Sequence, residues 1–250
     1  MEITTGIFIH DLSLYIKSMN SLIVSDFHIG YEEALNKLGT LIPRAPFQLI
    51  LDRLEKIFES INKVHGKGTL NEIIIAGDLK HEFGTISEQE WRNTLRLLDF
   101  FETKASSIVI AKGNHDTIIG PIAQKRNVRI VEAVERDSVL IAHGDKIPDK
   151  QLLKKAKTII IGHEHPAVSI HDGIRTEVFK CFLKGTWGRK TIIVLPSFNL
   201  VNEGADMLKE QPHSPFLQKN LESFSAFIVA DTVYLPVVLG SLQGSPNSWR

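Results

Sequence analysis

The chain has 250 residues, 43% of them apolar, enough to bury the core of one large domain or two small ones. Lysine plus arginine and aspartate plus glutamate each number 29, so the formal net charge is zero and no global positive field draws in a polyanion. Cys181 is the only cysteine, which excludes an intramolecular disulfide and a cysteine-based zinc site.

In chain order, the alternating stretch from Ile7 to Ile16 suits antiparallel or edge strands. Ser21 to Ser25 is a short apolar strand of the kind buried on both faces. Phe47 to Val64 predicts a helix: Ile50, Leu54, Ile57, Phe58 and Ile61 recur at helical spacing, and Gly66 and Gly68 close it. Glu72 to Ala76 is a second buried strand. Ser87-Glu88-Gln89-Glu90 reads as a capping box opening a helix through Trp91, Leu95, Leu98 and Phe101. A third strand, Ser107 to Ala111, precedes a short helix from Ile118 to Gln124. Further buried strands are expected at Ser138 to Ala142, Thr158 to Ile161 and Thr191 to Leu195, and alternating ones at Glu177 to Leu183 and Ala226 to Val237. Asn202 to Asn220, with Pro212 and Pro215, reads as an excursion. The order indicates a mixed α/β architecture. No linker divides it, so residues 1–239 are expected to form one domain and 240–250 a poorly ordered tail. The N-terminus lacks a basic segment leading into an apolar run, and no apolar run approaches a membrane span, so a soluble cytoplasmic protein is expected, with no membrane partner.

Five of these strands are followed by residues of types that can ligate metals. Asp26-Phe27-His28, Gly77-Asp78, Gly113-Asn114-His115-Asp116, His143-Gly144-Asp145 and Gly162-His163-Glu164-His165 each follow an apolar run. In extended chain, Asp26 and His28 would point to the same side. A carboxylate such as Asp78 can bridge two metals, and the preceding glycine lets backbone pass close. Asn114 offers a neutral oxygen, His115 an acid, and Asp116 a carboxylate to orient the His115 ring. Each segment alone has an ordinary reading: chance for Asp26-x-His28, a turn for Gly77-Asp78 and for Gly113 to Asp116, and histidines satisfied by backbone hydrogen bonds for the last two. Five in order do not share one. Two carboxylates, an amide and four imidazoles suit two adjacent divalent ions and phosphoester hydrolysis.

These motifs resemble those of the calcineurin-like metallophosphoesterase superfamily, which run D-x-H, G-D, G-N-H-D/E, H and G-H-x-H. Within it, Ser25 to Glu32, Ile42-Pro43-Arg44 and Gly77 to Phe83 look like the stand-alone archaeal phosphoesterases related to SbcD-type nucleases. The resemblance implies an α/β fold: a four-layer αββα sandwich of two mixed β-sheets flanked by helices. It implies that Asp26, His28 and His165 hold one metal and Asn114, His143 and His163 the other, with Asp78 bridging. It makes His115 the acid, Asp116 the residue behind it, and His81 a support for phosphate handling. Manganese is the expected metal; iron, zinc, cobalt and nickel are the alternatives. Arg44 is a candidate phosphate clamp, matched by the reading of a surface ion pair.

The function expected is a dinuclear-metal phosphodiesterase working by metal-activated hydroxide, with DNA a candidate substrate that the net charge does not support. Only 85 residues follow His165, too few for the remaining core strands together with the DNA-binding cap and ATPase-docking segment of SbcD-type nucleases. The competing reading within enzymes is a hydrolase of nucleotides or cyclic nucleotides. From another class comes a scaffold, since the superfamily includes the small subunit of retromer; every motif histidine is intact here, against that reading. A homodimer is compatible with the resemblance. Asn199, after a late strand, is a candidate to approach the site, with a plain turn the preferred reading; Trp91 and Cys181 read as packing, and His10, His65, His171 and His213 as surface or packing.

Overall fold

Four-residue runs rich in isoleucine and valine form the centre of each of two sheets. The computed structural model describes residues 1–42, 46–66, 68–172, 175–233 and 235–242. The first sheet runs β1 (Glu2–Thr4), β2 (Ile7–His10), β3 (Ser13–Ile16), β4 (Ser21–Val24), β5 (Glu72–Ile75), β6 (Ile108–Ala111) and β7 (Arg129–Val131), in that spatial order. β1 to β4 pair antiparallel, and β4 to β7 pair parallel. The run from Ile7 to Ile16 is thus a hairpin, turning where Asp11 takes a φ of 55°.

The second sheet has the order β14 (Ala205–Asp206), β11 (Pro166–Asp172), β12 (Arg175–Trp187), β13 (Lys190–Val194), β10 (Thr158–Ile161), β9 (Val139–Ala142) and β8 (Ala133–Arg136). β15 (Ser225–Ile228) adds to β12, and β16 (Val237–Val238) to β15. The stretch expected to be one alternating strand from Ala226 to Val237 is therefore two short ones, separated by a turn in which Ala230 N–H donates to Thr232 O.

Both faces of the second sheet are apolar. Ile141, Ile160, Phe182 and Ile193 belong to a core shared with the first sheet. Their neighbours Leu140, Ile159, Ile161, Leu183 and Ile192 belong to a second core on the other face. This alternation is why continuous apolar runs are stable here. The first sheet is packed by α2 (Pro46–His65) and α3 (Glu88–Glu102), with the shorter α1 (Tyr31–Lys37) and α4 (Gly120–Lys125) after β4 and β6. Ser87 Oγ accepts from Glu90 N–H at 3.1 Å, so α3 starts where its cap residue predicts. Over the outer core lie α5 (Lys150–Lys155), α6 (Leu239–Leu242) and the excursion, which contributes Met207, Phe216 and Leu217. Both sheets are mixed, with helices outside, as the resemblance implies.

Register aligns the strand ends. Val24 is level with Ile75 and Ile75 with Ile110; Ala142 is level with Ile161 and Ile161 with Val194. The loops after all six strands therefore start at one edge. Backbone links the sheets there, with Phe198 N–H donating to Ser25 O at 2.9 Å and Asn199 N–H to Asp26 O at 3.1 Å. Gly162 sits in this crossing: a Cβ on it would lie 1.8 Å from Ser25 Oγ and 2.6 Å from Asp26 Oδ2. Gly162→Ala is expected to cost about 1–3 kcal/mol of stability in metal-free protein. Gly68→Ala, whose methyl meets nothing within 4 Å, should change stability by no more than about 0.5 kcal/mol. Calorimetric melts check this; equal shifts for the two variants would contradict the close crossing.

Candidate metal centre

The five strand-end segments meet at this edge. Ligand atoms of Asp26, His28 and His165 lie within 4.8 Å of one another, as do those of Asp78, His143 and His163. Asn114 Oδ1 joins the second group, 3.0 Å from His143 Nε2. Asp78 faces both: its Oδ2 is 3.2 Å from His143 Nε2 and 3.8 Å from His28 Nε2. All seven residues singled out as ligands are thus brought together.

The backbone achieves this differently from expectation. Asp26 and His28 are not extended; their φ angles are 55° and 44°. Asp78 (49°), His163 (69°) and His165 (49°) are also left-handed. Such conformations cost non-glycine residues of order 1 kcal/mol each and concentrate at functional sites. Gly77, at φ 86°, has no room for a side chain, since a Cβ there would stand 2.2 Å from His143 Nδ1. The close approach expected of this glycine is present.

The donor set fits divalent metal ions. Asp26 is fully buried, and its Oδ1 makes no hydrogen bond although it lies 3.3 Å from His165 Nε2. His28 Nε2 and His165 Nε2 point at each other across 3.2 Å. An orphaned carboxylate oxygen among converging imidazole nitrogens, with no thiolate, is a first-row divalent metal's environment. His143 Nδ1 lies 3.0 Å from Ala76 O, which fixes this nitrogen as the donor and turns Nε2 to the site.

The electrostatics follow. Burial opposes charge on His143, yet the hydrogen bond to Asp78 and the charges of Asp26 and Asp78 prevail and raise its pKa to about 9. Burial, then His165, pushes His28 well below the usual imidazole range. Burial, then the His143 charge, lowers His163. For Asp26 and Asp78 burial works upward, but the neighbouring imidazoles outweigh it and hold both below the usual carboxylate value.

His115 and His81 border the open side. Their rings stack at 5.3 Å, and His81 Nδ1 is 3.4 Å from His28 Nδ1. His115 Nδ1 donates to His81 O, leaving Nε2 as the ring atom available to the cleft. Asp116 does not act behind this imidazole as expected. Its buried carboxylate accepts instead from the N–H groups of Asp78 (2.9 Å), Leu79 (3.1 Å) and Gly113 (3.0 Å), bracing the backbone that carries Asp78. Burial, then the Asp78 charge, raises the Asp116 pKa to about 6.

Several supports escape a sequence reading. Lys80 Nζ, buried with lowered pKa through desolvation, donates to His115 O at 2.6 Å and to Glu82 O. Glu90 Oε1 accepts from His81 N–H (2.8 Å) and Glu82 N–H (3.0 Å). Tyr31 lies 4.7 Å from the His81 ring, and Phe83 lies 3.8 Å from that of His115. Asn199 is more than a turn residue: it lines the cleft, and its Nδ2 donates to Phe27 O at 3.2 Å. No short-range signal marks it. Arg44 lies outside the described residues. Cys181 and Trp91 pack against the two cores as expected, and His10 and His65 face one another at 3.1 Å, away from the cleft.

Among solved structures the chain is similar to nuclease MPE from Pseudomonas putida, at 16% identity, covering 92% of this chain and 94% of that one with a TM-score of 0.62. It is more loosely similar to wild-type Vps29 complexed with Zn2+ from Entamoeba histolytica, at 16% identity, 88% and 98% coverage and a TM-score of 0.37. At 16% identity the likeness to nuclease MPE is one of fold. A comparison with curated proteins found no match. The profile of the calcineurin-like phosphoesterases matches residues 19–186. That span exceeds half the chain and contains every donor from Asp26 to His165 in the order found at the sheet edge, and the chain therefore belongs to the calcineurin-like phosphoesterase family.

Proposed function

We propose that this protein hydrolyses phosphodiester bonds with two divalent metal ions, manganese by family resemblance. The observation that carries the reading is Asp78, whose single oxygen stands between two groups of converging donors. Asp26, His28 and His165 would hold one ion and Asn114, His143 and His163 the other. Ions bound there supply Lewis-acid polarisation of phosphoryl oxygens and a water deprotonated near neutral pH.

The rest is done by the chain. His115, held through Nδ1 by the His81 carbonyl, keeps Nε2 free to protonate a departing oxygen. His81 lies against it and offers a second imidazole to phosphate oxygens. Lys80 ties the two loops together by donating to His115 O and Glu82 O, and Glu90 holds the His81 loop to α3, so the spacing of these imidazoles is set before substrate arrives. The cleft of about 220 Å³ is bounded by His28, Tyr31, His81, His115, His165, Asn199 and Asn202. It is open, as an extended substrate requires. A second reading, a hydrolase of small phosphoesters such as nucleotides, draws on the absence of lysine and arginine among the described lining residues.

His115→Ala is expected to lower manganese-dependent hydrolysis of bis(p-nitrophenyl) phosphate by roughly a hundredfold to ten-thousandfold while metal content is retained. An unchanged rate would remove His115 from the chemistry, and preference for the monoester would favour the second reading. Metal affinity should also depend on pH. His143, with a pKa of about 9 in the metal-free protein, is protonated at pH 7 and must lose that proton to become a ligand. Binding should therefore tighten as pH rises from 7 to 9, with about one proton released at pH 7 in calorimetry across buffers of different ionisation enthalpy. Affinity independent of pH would contradict this.

A further inference from the structure

The neutral net charge hides a segregated one. At the end of the second sheet opposite the metal centre, Lys150, Lys154, Lys155, Lys157, Arg189 and Lys190 line one shallow groove of about 660 Å³. Trp187, Leu153 and Ala156 complete it, and no aspartate or glutamate is among the described lining residues. Its place follows from topology. Lys157 and Lys190 stand where the parallel strands β10 and β13 begin, whereas the metal ligands follow the far end of β10. Four residues of strand, roughly 13 Å, separate the two ends.

Acids barely neutralise these cations. Among the described residues, only Lys155 has a carboxylate within 4.0 Å, that of Glu135 at 3.8 Å. Lys190 donates to the Ala156 carbonyl, and Lys150, Lys154, Lys157 and Arg189 are exposed. Holding six like charges in one groove raises their mutual repulsion, which a bound polyanion relieves.

We infer that this groove binds the phosphate backbone of a nucleic-acid strand, anchoring it away from the metal centre. Regularly spaced phosphates match several cations along one groove, and the binding gains counterion release. An anionic membrane fits less well: Leu153 and Ala156 are buried, and Trp187, half-buried against Phe216 at 5.2 Å, is the one bulky apolar side chain partly open among the described lining residues. The inference goes beyond the phosphodiesterase reading, because binding here requires no metal. It also gives a neutral chain, whose described cleft lining holds no lysine or arginine, a means of holding a polymer.

The test is fluorescence anisotropy of a labelled 30-nucleotide single strand in EDTA, where hydrolysis is off. Wild type should bind, with affinity falling about a hundredfold between 50 and 200 mM salt if five phosphates are neutralised. Lys154→Glu/Lys157→Glu/Arg189→Glu should weaken binding at least about tenfold at 100 mM salt and flatten the salt dependence. The milder Lys154→Gln/Lys157→Gln/Arg189→Gln should fall between, which separates a charge effect from misfolding. His115→Ala should bind as wild type does, and the groove variants should hydrolyse bis(p-nitrophenyl) phosphate at the wild-type rate. Groove variants that bind the strand within twofold of wild type, or a wild type that does not bind, would overturn the inference. So would binding to phosphatidylserine vesicles, but not to the strand, that is lost in the same variants. Loss of diester hydrolysis in wild type with strand binding intact would instead count against the phosphodiesterase alone.

Discussion

Two carboxylates, Asp26 and Asp78, follow neighbouring parallel strands with almost no exposure to water, and the centre is arranged around that placement. Burying like charges side by side is unfavourable unless positive charge is supplied. Imidazoles surround the pair, and one of them, His143, is driven towards its cationic form by the two acids. Protons are a partial remedy: Asp26 Oδ1 is still left without a hydrogen bond. Divalent ions would answer the whole demand at once, since each brings two charges and accepts oxygen and nitrogen together.

The fold accepts strain and crowding to keep the carboxylates there. Five ligand residues adopt left-handed backbone, turning side chains from successive loops towards one point. Gly77 and Gly162 are needed because another strand end occupies the space a side chain would use. Asp116 then satisfies three backbone N–H groups around the Asp78 loop, so the donor loops are tied to each other as well as to their strands. These hydrogen bonds brace the donor loops without relying on a metal, which is what close control of ion spacing requires.

How much of this a sequence discloses depends on range. The buried strands are legible because runs such as Glu72–Ile75 and Thr158–Ile161 carry β-branched residues continuously, and the ligands are legible because each follows such a run. Positive φ at Asp26 or His163 leaves no such mark, since neither residue type demands it. Adjacency misleads at Asp116, which neighbours His115 in sequence while its carboxylate reaches back to residues 78 and 79. Asn199 reaches the cleft through contacts 172 positions away, which no local pattern encodes. The basic groove draws on residues 150–157 and 189–190, diluted in a chain whose charges sum to zero.

In the proposed function, Asp78 would join two metal ions. Electron paramagnetic resonance of the manganese-loaded protein, read beside its metal content, addresses it directly. Two manganese ions per chain with the spectrum of an exchange-coupled pair are expected, with loss of the coupling in Asp78→Asn. One ion per chain with the six-line signal of isolated manganese, or coupling that survives Asp78→Asn, would contradict it.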